Sequence, residues 1–211
     1  MNRRILAATA LLALTAFSCG EPGERESYLT AAEVCGSTLD KWATKSLEHM
    51  GATEKFKEES AGSSRPYSVI TIAEDLRSED NPQSCYVTRA ESKSGHPLVQ
   101  VDFLPSSFRL DRKTATHKKG RMFYPVGLYA HTADVTGATI YFKCSTLNRK
   151  TKTPYIEARL FSAANEISSK TTPDDLMIIL NSMSRAVANH LGCATEAQLP
   201  SEVPPGEKNG Q

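Results

Sequence analysis

Five cysteines are the feature that most restricts what this chain can fold into. Four of them, Cys35, Cys85, Cys144 and Cys193, are spread over the body of the sequence, whereas Cys19 directly follows an apolar run near the N-terminus. An even set of widely spaced cysteines is typical of disulfide-bonded proteins in an oxidising compartment. The four therefore predict two disulfides in an exported domain, and they leave Cys19 without a partner.

The N-terminal segment has the layout of a secretory signal. Two arginines precede an apolar run over residues 5–17, which is too short for a permanent transmembrane helix. Small residues, Ala16 and Ser18, occupy the cleavage positions before Cys19. We therefore predict that residues 1–18 are a signal peptide.

Cys19 stands where bacterial lipoproteins carry the cysteine that becomes acylated. The match to the lipoprotein signal is imperfect, because Ala16 replaces the usual leucine three positions before the cysteine. Cleavage by an ordinary signal peptidase is the alternative, and it leaves Cys19 as a free thiol. Since acylation removes that reactive group, we predict that Cys19 is lipidated, with palmitate among its acyl chains, and anchors the protein to the outer face of the cell membrane.

The chain that follows the signal peptide has roughly 190 residues, enough for one domain with a sizeable core. Residues 19–28 have the Gly, Pro and charge content of a tether, and residues 29–196 are predicted to form a single domain. Residues 197–211 lack apolar periodicity and are predicted to be a disordered tail. The 25 basic and 24 acidic side chains nearly balance, which argues against a nucleic-acid partner.

A first helix is predicted near the start of the domain. Thr30 and Glu33 have the spacing of a capping box, and Gly51 supplies the stop. The helical period places seven residues on one apolar stripe: Ala32, Cys35, Leu39, Trp42, Ala43, Leu47 and Met50.

A second helix is predicted near the end of the domain. It opens with Thr172 as the cap, Pro173 at the first helical position and two aspartates in the first turn, and Gly192 ends it. Its buried stripe comprises Leu176, Ile179, Leu180, Met183, Val187 and Leu191. His190 lies at the edge of this stripe and is interpreted as a packed histidine rather than a ligand.

The middle of the chain predicts strands. Six segments are candidates: 67–73, 84–90, 97–104, 122–130, 138–144 and 154–161. Pro125 and Gly127 weaken the fourth segment, which is expected to be an edge or bulged strand. The order of elements predicts an α+β fold in which an antiparallel sheet of about five to six strands carries the N- and C-terminal helices on one face.

Four cysteines allow three pairings, and the sequence does not exclude any of them. We prefer Cys35–Cys193 with Cys85–Cys144. In this arrangement the first disulfide joins the two helices, and the second joins two strands across the sheet.

A search for catalytic signatures finds none of the common hydrolase, metalloenzyme, redox or nucleotide-binding motifs. The five histidines have no metal-ligand spacing relative to one another or to the cysteines. The stretch HTAD at 131–134 places a histidine near an aspartate, and we interpret it as a turn. The sequence therefore predicts no catalytic residue, no metal site and no cofactor.

One basic segment, residues 109–121, stands out from the nearly neutral chain. Its basic side chains are Arg109, Arg112, Lys113, Lys118, Lys119 and Arg121. A solvated surface loop is the simpler interpretation. The functional alternative is contact with an anionic polymer, an anionic membrane or an acidic partner.

The stretch TAAEVCGSTLDKWATKSLEHMGATEKF, followed by SCYV and IYFKC, resembles small secreted lipoproteins of unknown function from actinobacteria. The resemblance implies a lipid-anchored, disulfide-bonded extracytoplasmic domain and carries no catalytic residue with it. We therefore expect a non-catalytic binding or accessory protein of the cell envelope, with an envelope protein or anionic polymer as its partner. An envelope hydrolase whose site has no sequence motif, and an inhibitor or immunity-type lipoprotein, are the alternatives.

Overall fold

A computed structural model of the chain describes residues 28–60, 65–78, 84–107, 120–145 and 154–208. Its helices are α1 (Val34–Ser37), α2 (Lys41–Gly51), α3 (Val69–Ser78), α4 (Pro173–His190) and α5 (Ala194–Ala197). Its strands are β1 (Phe56–Ser60), β2 (Cys85–Arg89), β3 (Val99–Ser106), β4 (Arg121–Tyr124), β5 (Tyr129–Ala133), β6 (Gly137–Lys143), β7 (Tyr155–Phe161) and β8 (Glu207–Lys208).

The eight strands form one antiparallel sheet in the order β1-β2-β3-β7-β6-β5-β4-β8. Alternate residues of its strands point at the helices and are buried, as in Val99, Val101 and Phe103 of β3. Helix α4 lies on β5, β6 and β7, while α2 and α3 pack beside α4. The α+β fold with an antiparallel sheet is thus confirmed, with eight strands rather than five or six.

The prediction that the first helix begins at Thr30 is wrong. Thr30 does donate hydrogen bonds to the Glu33 carboxylate, from its backbone N and from Oγ1, both at 2.8 Å, but they close only a turn. Cys35, Gly36 and Ser37 have φ angles of 53°, 63° and 58°, which interrupt helical geometry. Gly36 is required there, because a Cβ atom would lie 2.9 Å from the carbonyl oxygen of Tyr67.

The continuous helix, α2, begins after Asp40, whose Oδ1 accepts hydrogen bonds from the backbone N of Trp42 at 3.0 Å and of Ala43 at 3.1 Å. The shift of the helix start changes which residues face the core. Ala43, Leu47 and Met50 are buried as predicted, whereas the Trp42 side chain is 44% exposed.

The prediction of the second helix is confirmed by α4. Thr172 caps it in a capping box with Asp175, Pro173 stands in the first turn, and the predicted stripe is buried. His190, the last residue of α4, is exposed, so the prediction that its side chain is packed is wrong.

The strand predictions for 84–90, 97–104, 138–144 and 154–161 are confirmed by β2, β3, β6 and β7. The segment 67–73 is not a strand, since helix α3 begins at Val69. The segment 122–130 divides into β4 and β5, because the chain turns through Pro125 and Gly127.

The prediction of a disordered tail is wrong for residues 197–208. Leu199 and Val203 pack against the core, and Asn181 Nδ2 donates a hydrogen bond of 2.8 Å to the carbonyl oxygen of Pro200. Strand β8 then pairs with β4. The apolar residues that hold this segment are not spaced with the period of a helix or a strand. Its sequence pattern therefore does not reveal that it packs on the core. Residues 209–211 lie outside the described residues.

The preferred disulfide pairing is also wrong. The disulfides are Cys35–Cys85, with Cα atoms 5.5 Å apart, and Cys144–Cys193, with Cα atoms 5.1 Å apart. Since the backbone break after Val34 removes Cys35 from the long helix, Cys35 contacts β2 rather than α4. Cys35 of α1 is thus joined to strand β2, and Cys193, which precedes α5, is joined to the residue that follows β6.

Candidate functional site

A half-open cleft of about 410 Å³ lies between α2, α4 and residues 201–203. Trp42, Ile178 and Val203 provide its apolar lining. Its polar lining includes Asp40, Ser46, His49, Asp175, Asn181 and Glu202, together with Lys45. Two further cavities of the described residues are smaller, with volumes of about 290 and 170 Å³.

The first end of the cleft is closed by contacts of Asp40 with α4. Its Oδ2 pairs with Arg185 Nη1 at 3.2 Å, and its backbone N donates a hydrogen bond of 2.8 Å to Ser182 Oγ. Ser182 Oγ in turn donates to the carbonyl oxygen of Thr38 at 3.1 Å. The residue that caps α2 therefore also fixes the start of α2 against α4.

The other end of the cleft is closed by His49 and Asp175. His49 Nδ1 lies 2.9 Å from Asp175 Oδ2, which also accepts hydrogen bonds of 2.8 Å from both the backbone N and Oγ1 of Thr172. The Asp175 side chain is largely buried, whereas 43% of the His49 side chain is exposed. Because a carboxylate only accepts, the proton of a neutral His49 ring is on Nδ1, and Nε2 presents a lone pair.

The exposed ring of Trp42 forms part of the cleft and attracts two ammonium groups. Lys41 Nζ lies 4.8 Å and Lys45 Nζ 5.5 Å from the ring centroid. Both lysines are exposed and are held by no other contact among the described residues. The ring is thus available to another cation that displaces them.

Asn181 contributes an unpaired acceptor. Its side chain is 2% exposed, its Nδ2 is committed to Pro200, and its Oδ1 is buried without a hydrogen-bond partner. A buried amide oxygen without a donor is uncommon and costs free energy. Asn181 lines the cleft, so this oxygen is a candidate acceptor for a ligand that donates a hydrogen bond.

The predicted lipidation site and most of the predicted basic segment lie outside the described residues. Cys19 lies outside the described residues, as do Arg109, Arg112, Lys113, Lys118 and Lys119. Arg121 begins β4, where its Nη1 lies 3.5 Å from Tyr129 Oη. The contact of the basic segment with an anionic surface therefore stays a prediction.

The HTAD stretch is also not a catalytic pair. His131 lies inside β5, buried between aromatic side chains, while Asp134 follows in the turn with φ of 51°. The interpretation of the whole stretch as a turn is thus wrong for His131, whose alternation with Tyr129 places it on the sheet face opposite the helices.

Among the described residues, one group has ligand atoms close enough for a metal ion. The sulfurs of Cys35 and Cys85 and a carboxylate oxygen of Glu58 lie within 4.8 Å of one another. The two sulfurs are joined as a disulfide, so neither is a thiolate ligand. Glu58 instead accepts a hydrogen bond of 2.5 Å from Cys35 N, while burial raises the pKa of its carboxyl.

Sequence reasoning missed every polar group of the cleft. Trp42 was assigned to the core, and His49 and Asn181 had no motif around them. Only the acidic residues in the first turn of α4 belong to a recognisable sequence pattern, and that pattern indicates a helix cap rather than a binding site. His49 of α2 and Asp175 of α4 are 126 positions apart in the chain, and the packing of α2 on α4 brings the two sets of residues together.

The two disulfides indicate an oxidising, extracytoplasmic environment. Within the described residues, every helix is too short or too polar to cross a bilayer. Comparison of the chain with protein-family models, curated protein sequences and solved structures gives no match. The resemblance to secreted actinobacterial lipoproteins thus stays a prediction that rests on the sequence motifs.

Proposed function

We propose that this protein is a lipid-anchored, non-catalytic binding protein of the cell envelope that holds a small organic ligand between α2 and α4. The observation that carries the proposal is the cleft itself. Its volume of about 410 Å³ lies within the range of small-molecule sites, and it combines apolar walls with a few converging polar groups.

Contacts within the protein hold the walls of the cleft in place. The Asp40–Arg185 pair and the His49–Asp175 pair hold α2 on α4 at both ends, and Asn181 holds the third wall through Pro200. A preformed site loses little conformational entropy on binding. This arrangement supports ligand binding rather than a purely structural helix pair.

Lipid anchoring supports an envelope role for such a binding protein. Tyr28, where the described structure begins, is nine positions after Cys19, and a fully extended segment of that length spans at most about 30 Å. An acylated Cys19 would therefore keep the cleft close to the membrane surface, where it would meet ligands of the envelope.

The test uses the exported Cys19→Ala variant, isolated without denaturation from the envelope of the producing cell. We expect native mass spectrometry to show a bound small molecule that is lost on unfolding. Ile178→Phe fills the cleft and should remove the adduct, whereas Ile70→Phe, at a 57% exposed position of α3, should retain it. A protein without adduct before and after incubation with envelope extracts would contradict the proposal.

A second candidate function, hydrolysis, is favoured by one observation. His49 is oriented by a buried carboxylate, as a general base requires, and Ser46 lines the same cleft. Covalent labelling of Ser46 by a fluorophosphonate probe, lost in His49→Gln, would favour the hydrolase over the binding protein.

A further inference from the structure

We infer that the ligand of the cleft is a compact organic cation, an amine or guanidine that carries an apolar or aromatic group. This inference rests on the proposed function, because it names the chemical class of the ligand that the cleft binds. Three separate features of the lining support it: its charge, its hydrogen-bonding roles and its exposed aromatic ring.

The lining of the cleft carries three carboxylates, and one of them has no partner among the described residues. Asp40, Asp175 and Glu202 oppose Lys45 as its single lysine. Arg185 pairs with Asp40, and His49 contacts Asp175. Glu202, at the edge of the cleft, makes no hydrogen bond or ion pair with the described residues. A cation in the cleft would gain this carboxylate as a partner, whereas an anion would be repelled.

The hydrogen-bonding groups of the lining are mainly acceptors. Asn181 Oδ1 is buried and unpaired, and its orientation is fixed because Nδ2 donates to Pro200. In the neutral form of His49, Nε2 is also an acceptor, since Nδ1 then donates to Asp175. An ammonium or guanidinium group has only donors, so it would satisfy these acceptors, and a carboxylate ligand would leave them unpaired.

The apolar part of the ligand is indicated by Trp42, Ile178 and Val203. The Trp42 ring already holds two lysine ammonium groups within 6 Å, and these exposed groups occupy the place that a ligand cation would take. Ile178 and Val203 provide apolar surface beside the ring. The cleft therefore favours a cation with a short apolar or aromatic portion over a fully hydrated polyamine.

The test compares three probes that share one ring and differ in charge: 2-phenylethylamine, its N-acetyl amide and phenylacetate. They are titrated at pH 7 into the exported Cys19→Ala protein, and binding is followed by calorimetry and by the fluorescence of Trp42. Because Trp42 is the single tryptophan of the chain, its emission reports on the cleft directly.

We expect the amine to bind at least tenfold more tightly than the amide, and phenylacetate to bind more weakly than both. Glu202→Gln should weaken the binding of the amine several-fold and leave the binding of the amide unchanged. The matched control Glu54→Gln, at an exposed position outside the cleft, should change neither affinity.

Equal or tighter binding of phenylacetate, or no binding of the amine at millimolar concentration, would overturn the inference. The proposed function would survive either result, because extraction of a ligand from the envelope tests binding without assuming its charge. Amine binding that persists in Ile178→Phe would likewise overturn the inference, because the amine would then bind elsewhere.

Discussion

His131 is a buried histidine that the fold keeps neutral. It is 9% exposed, its ring centroid lies 5.2 Å from that of Tyr129, and its Nδ1 has no hydrogen-bond partner. Burial, assisted by the positive charge of Arg121, lowers the pKa of His131 to about 4, whereas an unfolded histidine titrates near 6.5.

The shifted pKa of His131 predicts acid sensitivity. Between pH 6.5 and 4 the unfolded state binds the proton and the folded state does not, so stability is fully present above pH 6.5 and falls as the pH decreases. The loss should reach up to about 3 kcal/mol across this window. Urea unfolding of wild type and His131→Phe at several pH values measures it, because phenylalanine keeps the aromatic contact and does not titrate. Parallel pH curves for the two proteins would contradict the prediction.

At the scale of elements, the disulfides replace contacts that short elements lack. Helix α1 has four residues and a backbone break, yet Cys35 fixes it to β2. Helix α5 also has four residues, and Cys193, which precedes it, is fixed to the residue after β6. Because a single turn of helix is not stable alone, these segments depend on the covalent link and on burial.

The two disulfides should contribute similarly to stability. They join residues 50 and 49 positions apart, so each restricts the unfolded chain by about 4 kcal/mol in the loop-entropy model. We expect paired alanine substitutions of Cys35 and Cys85, or of Cys144 and Cys193, to lower the free energy of unfolding by comparable amounts in urea titrations. Non-reducing peptide mapping should give Cys35–Cys85 and Cys144–Cys193 peptides. A Cys35–Cys193 peptide would refute the pairing. A disulfide whose removal leaves the free energy of unfolding unchanged would refute the similar contributions.

At the scale of the whole molecule, the sheet separates two surfaces. One face carries the helices and the cleft, and the other carries the aromatic group of Phe123, Tyr129 and Tyr141 with the Glu157–Arg159 pair. The chain enters at Tyr28, which lies beside β1 at one edge of the sheet. The segment that follows Cys19 therefore joins the described domain at this edge of the sheet.

The anchor can be tested on the intact protein. We expect wild type to partition into the membrane fraction and to carry a diacylglycerol-modified Cys19 by intact mass. Cys19→Ala should release the protein in a folded, disulfide-bonded form, because the core and both disulfides form among residues 28–208. Release of wild type with an unmodified Cys19 would restore the simple secreted alternative.

Local patterns predicted part of this structure. Helix α4 was predictable because Thr172, Pro173 and Asp175 form its cap within four residues of one another. The strands β2, β3, β6 and β7 were predictable because apolar and polar residues alternate along them, as expected for strands with one buried face. Two disulfides were predictable from the even set of four widely spaced cysteines.

Tertiary contacts decided the rest. The β-branched run of α3 has a strand-like composition, but reciprocal hydrogen bonds between Ser68 and Thr71 cap a helix there, and packing on α4 retains it. The disulfide partners depend on a backbone break at Cys35 that the helical pattern conceals. The cleft unites α2, α4 and residues 201–203, which lie far apart in the chain, so its charge and unpaired acceptor exist only once the helices pack.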